Sequence, residues 1–223
     1  MAYVEFLTYD IKACVLWIGL NRVDKRNAFN DALIAELEQV ILAGLDNPEI
    51  KAFCLYAHGK VFSAGADLEW MLAAQTMNEA QNIAQAKHLA DVLYLWHQSP
   101  KPTLCLVQGN AYGGALGFMA ASDYCLAQAD THYCFSEVKL GLIPAIISPY
   151  ILKAIGLKKT KQLFLSAENI DANQALSYGL IDEIRDQQSL VLRATTILER
   201  WVSQPTTALQ AIKPWLESIQ YQT

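Results

Sequence analysis

Two small-residue loops and one isolated glutamate are the parts of this chain whose types and spacing can do chemistry. Gly113 and Gly114 lie in Gly109-Asn-Ala-Tyr-Gly-Gly-Ala-Leu-Gly-Phe-Met-Ala-Ala-Ser-Asp123. The preceding Thr103–Gln108 reads as a short buried strand and Ala115–Ala121 as a helix, so the pair sits where strand hands over to helix. Glycine N–H groups can approach a ligand closely, and the helix turns its positive dipole end the same way, which suits a developing negative charge. Tight turning and close helix packing would use the same glycines. The spacing is not G-x-G-x-x-G, and no Lys-Ser/Thr follows, which excludes the two common nucleotide loops.

The second loop is His58-Gly-Lys-Val-Phe-Ser-Ala-Gly-Ala-Asp-Leu-Glu69, with Asp67 placed to cap a helix. Alone it reads as a surface loop. Paired with Gly113-Gly114, the N–H groups of 64–67 would make an oxyanion hole, the device a reaction needs when a carbonyl oxygen gains charge. Between Tyr133 and Pro149 the only charged side chains are Glu137 and Lys139. A carboxylate in such apolar surroundings is either desolvated, with a raised pKa that suits proton transfer, or turned to solvent. The residues alone leave both readings open.

Other chemistries find little support. The 223 residues, 53% hydrophobic and 17% charged, suffice for one large domain or a domain with an appendage. Net charge is −5 and the basic clusters are small (22–26 and 158–161), which argues against nucleic acid as a partner. The five cysteines form no C-x-x-C pair, and each lies in an apolar stretch. They read as reduced core thiols of a cytoplasmic protein. His58, His88, His97 and His132 are isolated, so no metal site is expected. No apolar run reaches membrane-spanning length, and the first residues carry no secretory pattern.

The elements that must carry these loops follow from periodicity. Val4–Tyr9 and Ala13–Leu20 predict a hairpin broken at Asp10-Ile-Lys12, and Asn30 caps a helix that Asn47-Pro48 ends. Ala52–Ala57 predicts a buried strand and Asn78–His97 a long helix, stopped by Ser99-Pro-Lys-Pro102. Further helices are predicted over 148–155, 158–165, 172–178, 187–202 and 206–220, with a short strand in 179–184.

In order and spacing, Phe62-Ser-Ala-Gly-Ala-Asp-Leu68, Gly109-Asn-Ala-Tyr-Gly-Gly-Ala115, Ser122-Asp123 and Ser136-Glu-Val-Lys-Leu-Gly-Leu-Ile-Pro144 resemble the enoyl-CoA hydratase/isomerase (crotonase) family. The resemblance implies an α/β fold, a spiral of repeated ββα units with C-terminal helices, assembled as trimers or dimers of trimers. It implies a core over 1–186 and a helical segment over 187–223 that is short by family standards, whether naturally or by truncation. The substrate implied is an acyl-CoA thioester, its carbonyl held by the N–H groups of Ala66 and Gly114, with Glu137 at the position of a family catalytic glutamate. Coenzyme A is then part of the substrate and no separate cofactor is needed. Lys25, Arg26 and Ala28 match the loop along the adenosine and phosphates; Ala64, Asp67, Leu68 and Gly113 match positions on the substrate path.

The segments 63–71, 112–117 and 136–149 look most like methylglutaconyl-CoA hydratases of leucine and isoprenoid breakdown. Where the family's hydratases place another glutamate, this chain has Gly117, and neither Glu69 nor Asp123 replaces it by spacing. The expected reaction is hydration of a 2-enoyl-CoA by one glutamate. A Δ3,Δ2-enoyl-CoA isomerase and a non-catalytic acyl-CoA-binding subunit are the alternatives. Lys139 and Ser148 are the candidates for holding a distal acyl carboxylate.

Overall fold

The computed structural model describes residues 4–74 and 76–220, so the expected segment ends at 1–3 and 221–223 lie outside the described residues. Its first element is the hairpin of β1 (Leu7–Lys12) and β2 (Val15–Leu20). The break expected at Asp10–Lys12 falls instead at Ala13 and Cys14, whose φ values of 48° and 64° suit a two-residue hairpin turn. Leu7, Tyr9 and Ile11 alternate with Thr8, Asp10 and Lys12, and that period of two carries the strand on to the turn. Cys14 is therefore exposed, which corrects the expectation of five core thiols; the other four are buried.

Helix α1 (Asp31–Asp46) starts where Asn30 Oδ1 accepts the Leu33 N–H at 3.0 Å, and it buries Leu33, Ile34, Leu37, Val40 and Ile41. Its last carbonyls are satisfied by the buried Lys101, whose Nζ donates to the carbonyls of Gly44, Leu45 and Asn47 at 2.7, 2.9 and 2.8 Å.

The middle of the chain repeats one plan. β3 (Ala52–Ala57) and β4 (Val61–Ser63) lead to α2 (Leu68–Ala74) and α3 (Glu79–Gln98). β5 (Thr103–Val107) and β6 (Asn110–Tyr112) lead to α4 (Ala115–Ala121). β7 (Tyr124–Gln128) and β8 (His132–Cys134) lead through a 3-10 turn (Glu137–Leu140) to α5 (Ser148–Ser166), which bends at Gly156. The chain closes with β9 (Ile170–Asp171), α6 (Ala172–Tyr178), β10 (Glu183–Arg185), α7 (Leu190–Val202) and α8 (Thr206–Gln220).

Within each ββα unit the first strand joins one sheet and the second strand the other. The orders are β1-β2-β3-β5-β7-β10 and β4-β6-β8-β9, which is the α/β spiral the sequence implies. β2, β3, β5 and β7 pair in parallel and are covered on both faces, hence their nearly continuous apolar sequences. One face packs on α1, α3 and α4 through residues such as Phe53, Trp96 and Phe118; the other packs on Leu190, Ala194, Ile197 and Leu198 of α7. The predicted start of α7 moves from 187 to Leu190 because Asp186 Oδ1 accepts the Ser189 N–H and hydroxyl, both at 2.8 Å, and holds a turn there.

Every unit thus delivers a loop at the junction between its second strand and its helix. Three such junctions, after β4, β6 and β8, meet at one cavity.

Candidate active site

The first loop runs from β4 to α2 and is pinned on both sides of Ala66. The Phe29 N–H donates to Gly65 O at 2.7 Å and the Asp67 N–H donates to Phe29 O at 2.9 Å, while Ala64 N–H donates to Arg26 O at 2.9 Å. Gly65 has φ +85°, and a Cβ there would stand 2.9 Å from Tyr112 O, so the close approach of the two loops needs a glycine. Among the described residues no hydrogen bond takes the Ala66 N–H.

Asp67 caps α2, accepting the Glu69 and Trp70 N–H groups at Oδ1. Its Oδ2 pairs with Arg22, and the same guanidinium donates to Ala28 O at 3.1 Å. Burial acts to raise the Asp67 pKa, but the Arg22 guanidinium and the two cap N–H groups outweigh it and hold the carboxyl below its ordinary range.

The second loop is Gly113-Gly114 between β6 and α4. Gly113 takes φ +52° and donates its N–H to Cys134 O at 3.0 Å. Gly114 begins α4, and among the described residues its N–H is also untaken. The third junction supplies Glu137, at the start of the 3-10 turn, whose Oε1 lies 3.3 Å from where a Gly113 Cβ would be. Glu137 Oε2 is buried without a partner. Desolvation raises the pKa of this carboxyl against the opposing hydrogen bond from its own N–H.

The cavity these loops border has a volume of about 730 Å³, and its lining is mostly apolar. Of the residues singled out from sequence, Ala64, Ala66, Leu68, Gly113, Gly114 and Glu137 line it; Lys25, Arg26, Ala28, Asp67 and Gly117 do not. Lys25 is exposed and paired with Glu69 at 2.9 Å, Ala28 is buried, and Asp67 is committed to Arg22. Lys139 and Ser148 also stand outside the lining. Lys139 Nζ points to Cys134 Sγ at 3.7 Å, and Ser148 Oγ donates to Pro144 O at 2.6 Å.

Gly117 is filled from outside: a Cβ there would lie 2.5 Å from Ile147 Cγ2 and 3.2 Å from Leu93 Cδ1. Among the described residues Glu137 is accordingly the only carboxylate of the lining, and no Lys, Arg or His lines it. No group of three or more metal-ligating side chains occurs among the described residues. Sequence reasoning missed Arg22 as the anchor of the first loop and Trp70, Ser136, Asn82 and Gln85 as polar residues of the lining. The i, i+3 pair Asn82 and Gln85 on a helix was the one signal available for the last two.

Two untaken N–H groups from separate loops, facing one partly desolvated carboxyl across an apolar cavity, suit a carbonyl compound that passes through an enolate. Comparison with known proteins points the same way. The family model for enoyl-CoA hydratase/isomerase matches residues 10–220. An enoyl-CoA hydratase structure from Shewanella pealeana is 38% identical, superposes with a TM-score of 0.95, and is matched over 99% of this chain and 82% of its own. An enoyl-CoA isomerase/hydratase from Mycosarcoma maydis is 30% identical over 96% of this chain and 80% of its own length. A trans-2-decenoyl-[acyl-carrier-protein] isomerase from Streptococcus mutans is 27% identical over 96% of this chain and 81% of its own. Fold, loop geometry and sequence agree that the chain belongs to the enoyl-CoA hydratase/isomerase family.

Proposed function

We propose that this chain hydrates a 2-enoyl-CoA thioester, with Ala66 and Gly114 as oxyanion donors and Glu137 as the one acid–base group. The observation that carries the reading is the Glu137 carboxyl, buried with a free Oε2 beside the two untaken N–H groups. The thioester oxygen accepts both N–H groups. Glu137 holds a water molecule and takes its proton as the water oxygen bonds to Cβ, and the Cα=Cβ electron pair moves onto the carbonyl oxygen as an enolate. The protonated Glu137 then returns the proton to Cα on the same face, which restores the carbonyl and the carboxylate. One water is consumed and no other reactant is needed.

In this reading Lys25 and Arg26 meet the phosphates of coenzyme A, and Ala28, Ala64 and Leu68 border its path. Asp67 acts by holding the first loop to Arg22. The exposed Leu142 and Ile143 at the cavity support their being covered by another subunit, in the trimers that the family resemblance implies. The resemblance of 63–71, 112–117 and 136–149 supports 3-methylglutaconyl-CoA as substrate, giving 3-hydroxy-3-methylglutaryl-CoA in the cytoplasm.

A second reading, Δ3,Δ2-enoyl-CoA isomerisation, is favoured by the absence of another carboxylate from the described lining. One glutamate suffices to take a proton from Cα and return it to Cγ. The test follows loss of conjugated-thioester absorbance and product mass with 3-methylglutaconyl-CoA, crotonyl-CoA and a 3-enoyl-CoA. Glu137→Gln should fold with an unfolding midpoint no lower than that of the wild type and lose on the order of 10²–10⁴ in rate. Hydration by the variant at the wild-type rate would remove Glu137 from its role. A shifted double bond without gain of water would replace hydration by isomerisation, and tight binding without turnover would leave a binding subunit.

A further inference from the structure

Beyond Glu137 and the neighbouring Ser136, whose Oγ lies 3.8 Å from where a Gly113 Cβ would be, the lining has polar side chains at Trp70 on α2 and at Asn82 and Gln85 on α3. The Trp70 Nε1–H is buried and has no hydrogen-bond partner. A buried donor left unpaired is disfavoured, and in a ligand cavity it marks the place of an absent acceptor. Its neighbours on α3 each have one amide N–H engaged, Asn82 Nδ2 donating to Met77 O at 3.4 Å and Gln85 Nε2 to Asp31 Oδ2 at 3.2 Å, whereas the single indole N–H has no partner. The indole is tied to the oxyanion loop, because the Asp67 carboxyl that follows Ala66 also accepts the Trp70 N–H of the backbone at 3.4 Å. The oxyanion loop and the turn of α2 that carries the indole therefore hold a fixed relation.

We infer that the Trp70 indole N–H binds an oxygen of a carboxylate on the acyl chain, making the preferred substrate an enoyl thioester with an acidic acyl group. This rests on the reading of the cavity as the acyl site. With Lys139 and Ser148 outside the lining and no cationic side chain among its described residues, a distal carboxylate is left to neutral donors, and the Ser136 hydroxyl lies at Gly113 beside Glu137 whereas the indole N–H is carried by α2. A neutral donor to a charged acceptor makes one of the stronger hydrogen bonds. A plain alkyl chain would leave the indole N–H unpaired, and sites built around a polar contact discriminate strongly against analogues that lack it.

The test compares binding of glutaryl-CoA and valeryl-CoA by calorimetry to the wild-type protein and to Trp70→Phe, a change that keeps an aromatic ring and removes the N–H. Wild type should prefer glutaryl-CoA by on the order of 10- to 100-fold, and the variant should lose most of that ratio. Equal binding of the two thioesters by wild type, which needs no variant to fold, overturns the inference; so does a preference that survives in Trp70→Phe. Both ligands are saturated, so the measurement stands apart from turnover. A Trp70-dependent preference without hydration activity would sink the proposed reaction and leave this inference standing. Hydration without such a preference would do the reverse.

Discussion

Gly117 is where the packing of the protein decides which acids the site can hold, and Gly117→Ala probes that packing directly. In an exposed helix the change would stabilise by about 1 kcal/mol, since alanine is the better helix former. Here the new methyl would stand 2.5 Å from Ile147 Cγ2, on a residue that is 2% exposed and has no free space to yield. Carbon atoms prefer about 3.5–4.0 Å, so a displacement on the order of 1 Å is required. Overpacking of that kind costs about 1–3 kcal/mol. The net expectation is a loss of roughly 0–2 kcal/mol, measured as a shift of the denaturant midpoint with an unchanged slope. In an Ile147→Ala background Cγ2 is gone, and the same glycine change should become stabilising by about 1 kcal/mol. The coupling in the double-mutant cycle should therefore fall at roughly 1–3 kcal/mol. Additivity within about 0.5 kcal/mol would refute the idea that Ile147 occupies the place of a second acid.

Two further outcomes follow from the electrostatics. The raised pKa of Glu137 should place the acid limb of kcat/KM above 4.5, its ordinary value, with activity rising as the carboxylate forms; a limb at or below that value would contradict its burial. The same shift costs the wild-type protein stability as pH rises from 4.5 through the raised pKa, so Glu137→Gln should gain relative stability over that range and show no such gain below it, read from unfolding midpoints against pH. Arg22→Met leaves the buried Asp67 carboxylate without its partner, and should cost about 3–5 kcal/mol, with Asp67→Leu in the same chain recovering much of it. Denaturant titration checks this, and a loss under about 1 kcal/mol would show that the pair does not hold the loop.

What could be read from the sequence was local. Asn30 and Asp67 each lie beside the helix they cap. The handover from Thr103–Val107 to Ala115–Ala121 shows in a switch of period around two glycines, and strand 52–57 in an unbroken apolar run. The features that stayed hidden join distant segments. Ile147 meets Gly117 across thirty positions of chain, and Arg22 reaches Asp67 across forty-five, so a residue read as part of a basic loop is in fact a buried anchor. Lys101 likewise reads as part of a helix stop, whereas it closes the end of α1. The hairpin turn was missed for a different reason: Ala13 and Cys14 are not residues that favour positive φ, and only the pairing of Leu7–Lys12 with Val15–Leu20 imposes it.

A site whose oxyanion donors belong to the backbone has no side chain to announce them, and its accuracy depends on whatever fixes the loops. Three sets of contacts do so here: Phe29 bridging Gly65 and Asp67, Arg22 joining Asp67 to Ala28, and Gly113 tied to Cys134 on β8. The first two join the segment before α1 to the β3-β4-α2 unit and the third joins the β5-β6-α4 unit to β8, while the parallel pairing of β4 with β6 links the two middle units, so the spiral itself sets the separation between the Ala66 and Gly114 N–H groups. Productive geometry tolerates errors of only about 0.5 Å, less than a surface loop would hold unaided. Glu137 joins the same framework, because its carboxyl packs on Gly113 at a position where any Cβ would crowd it. The glycines at 65 and 113 are thus required by the approach of neighbouring units, and that approach is what brings donors and carboxyl to one substrate.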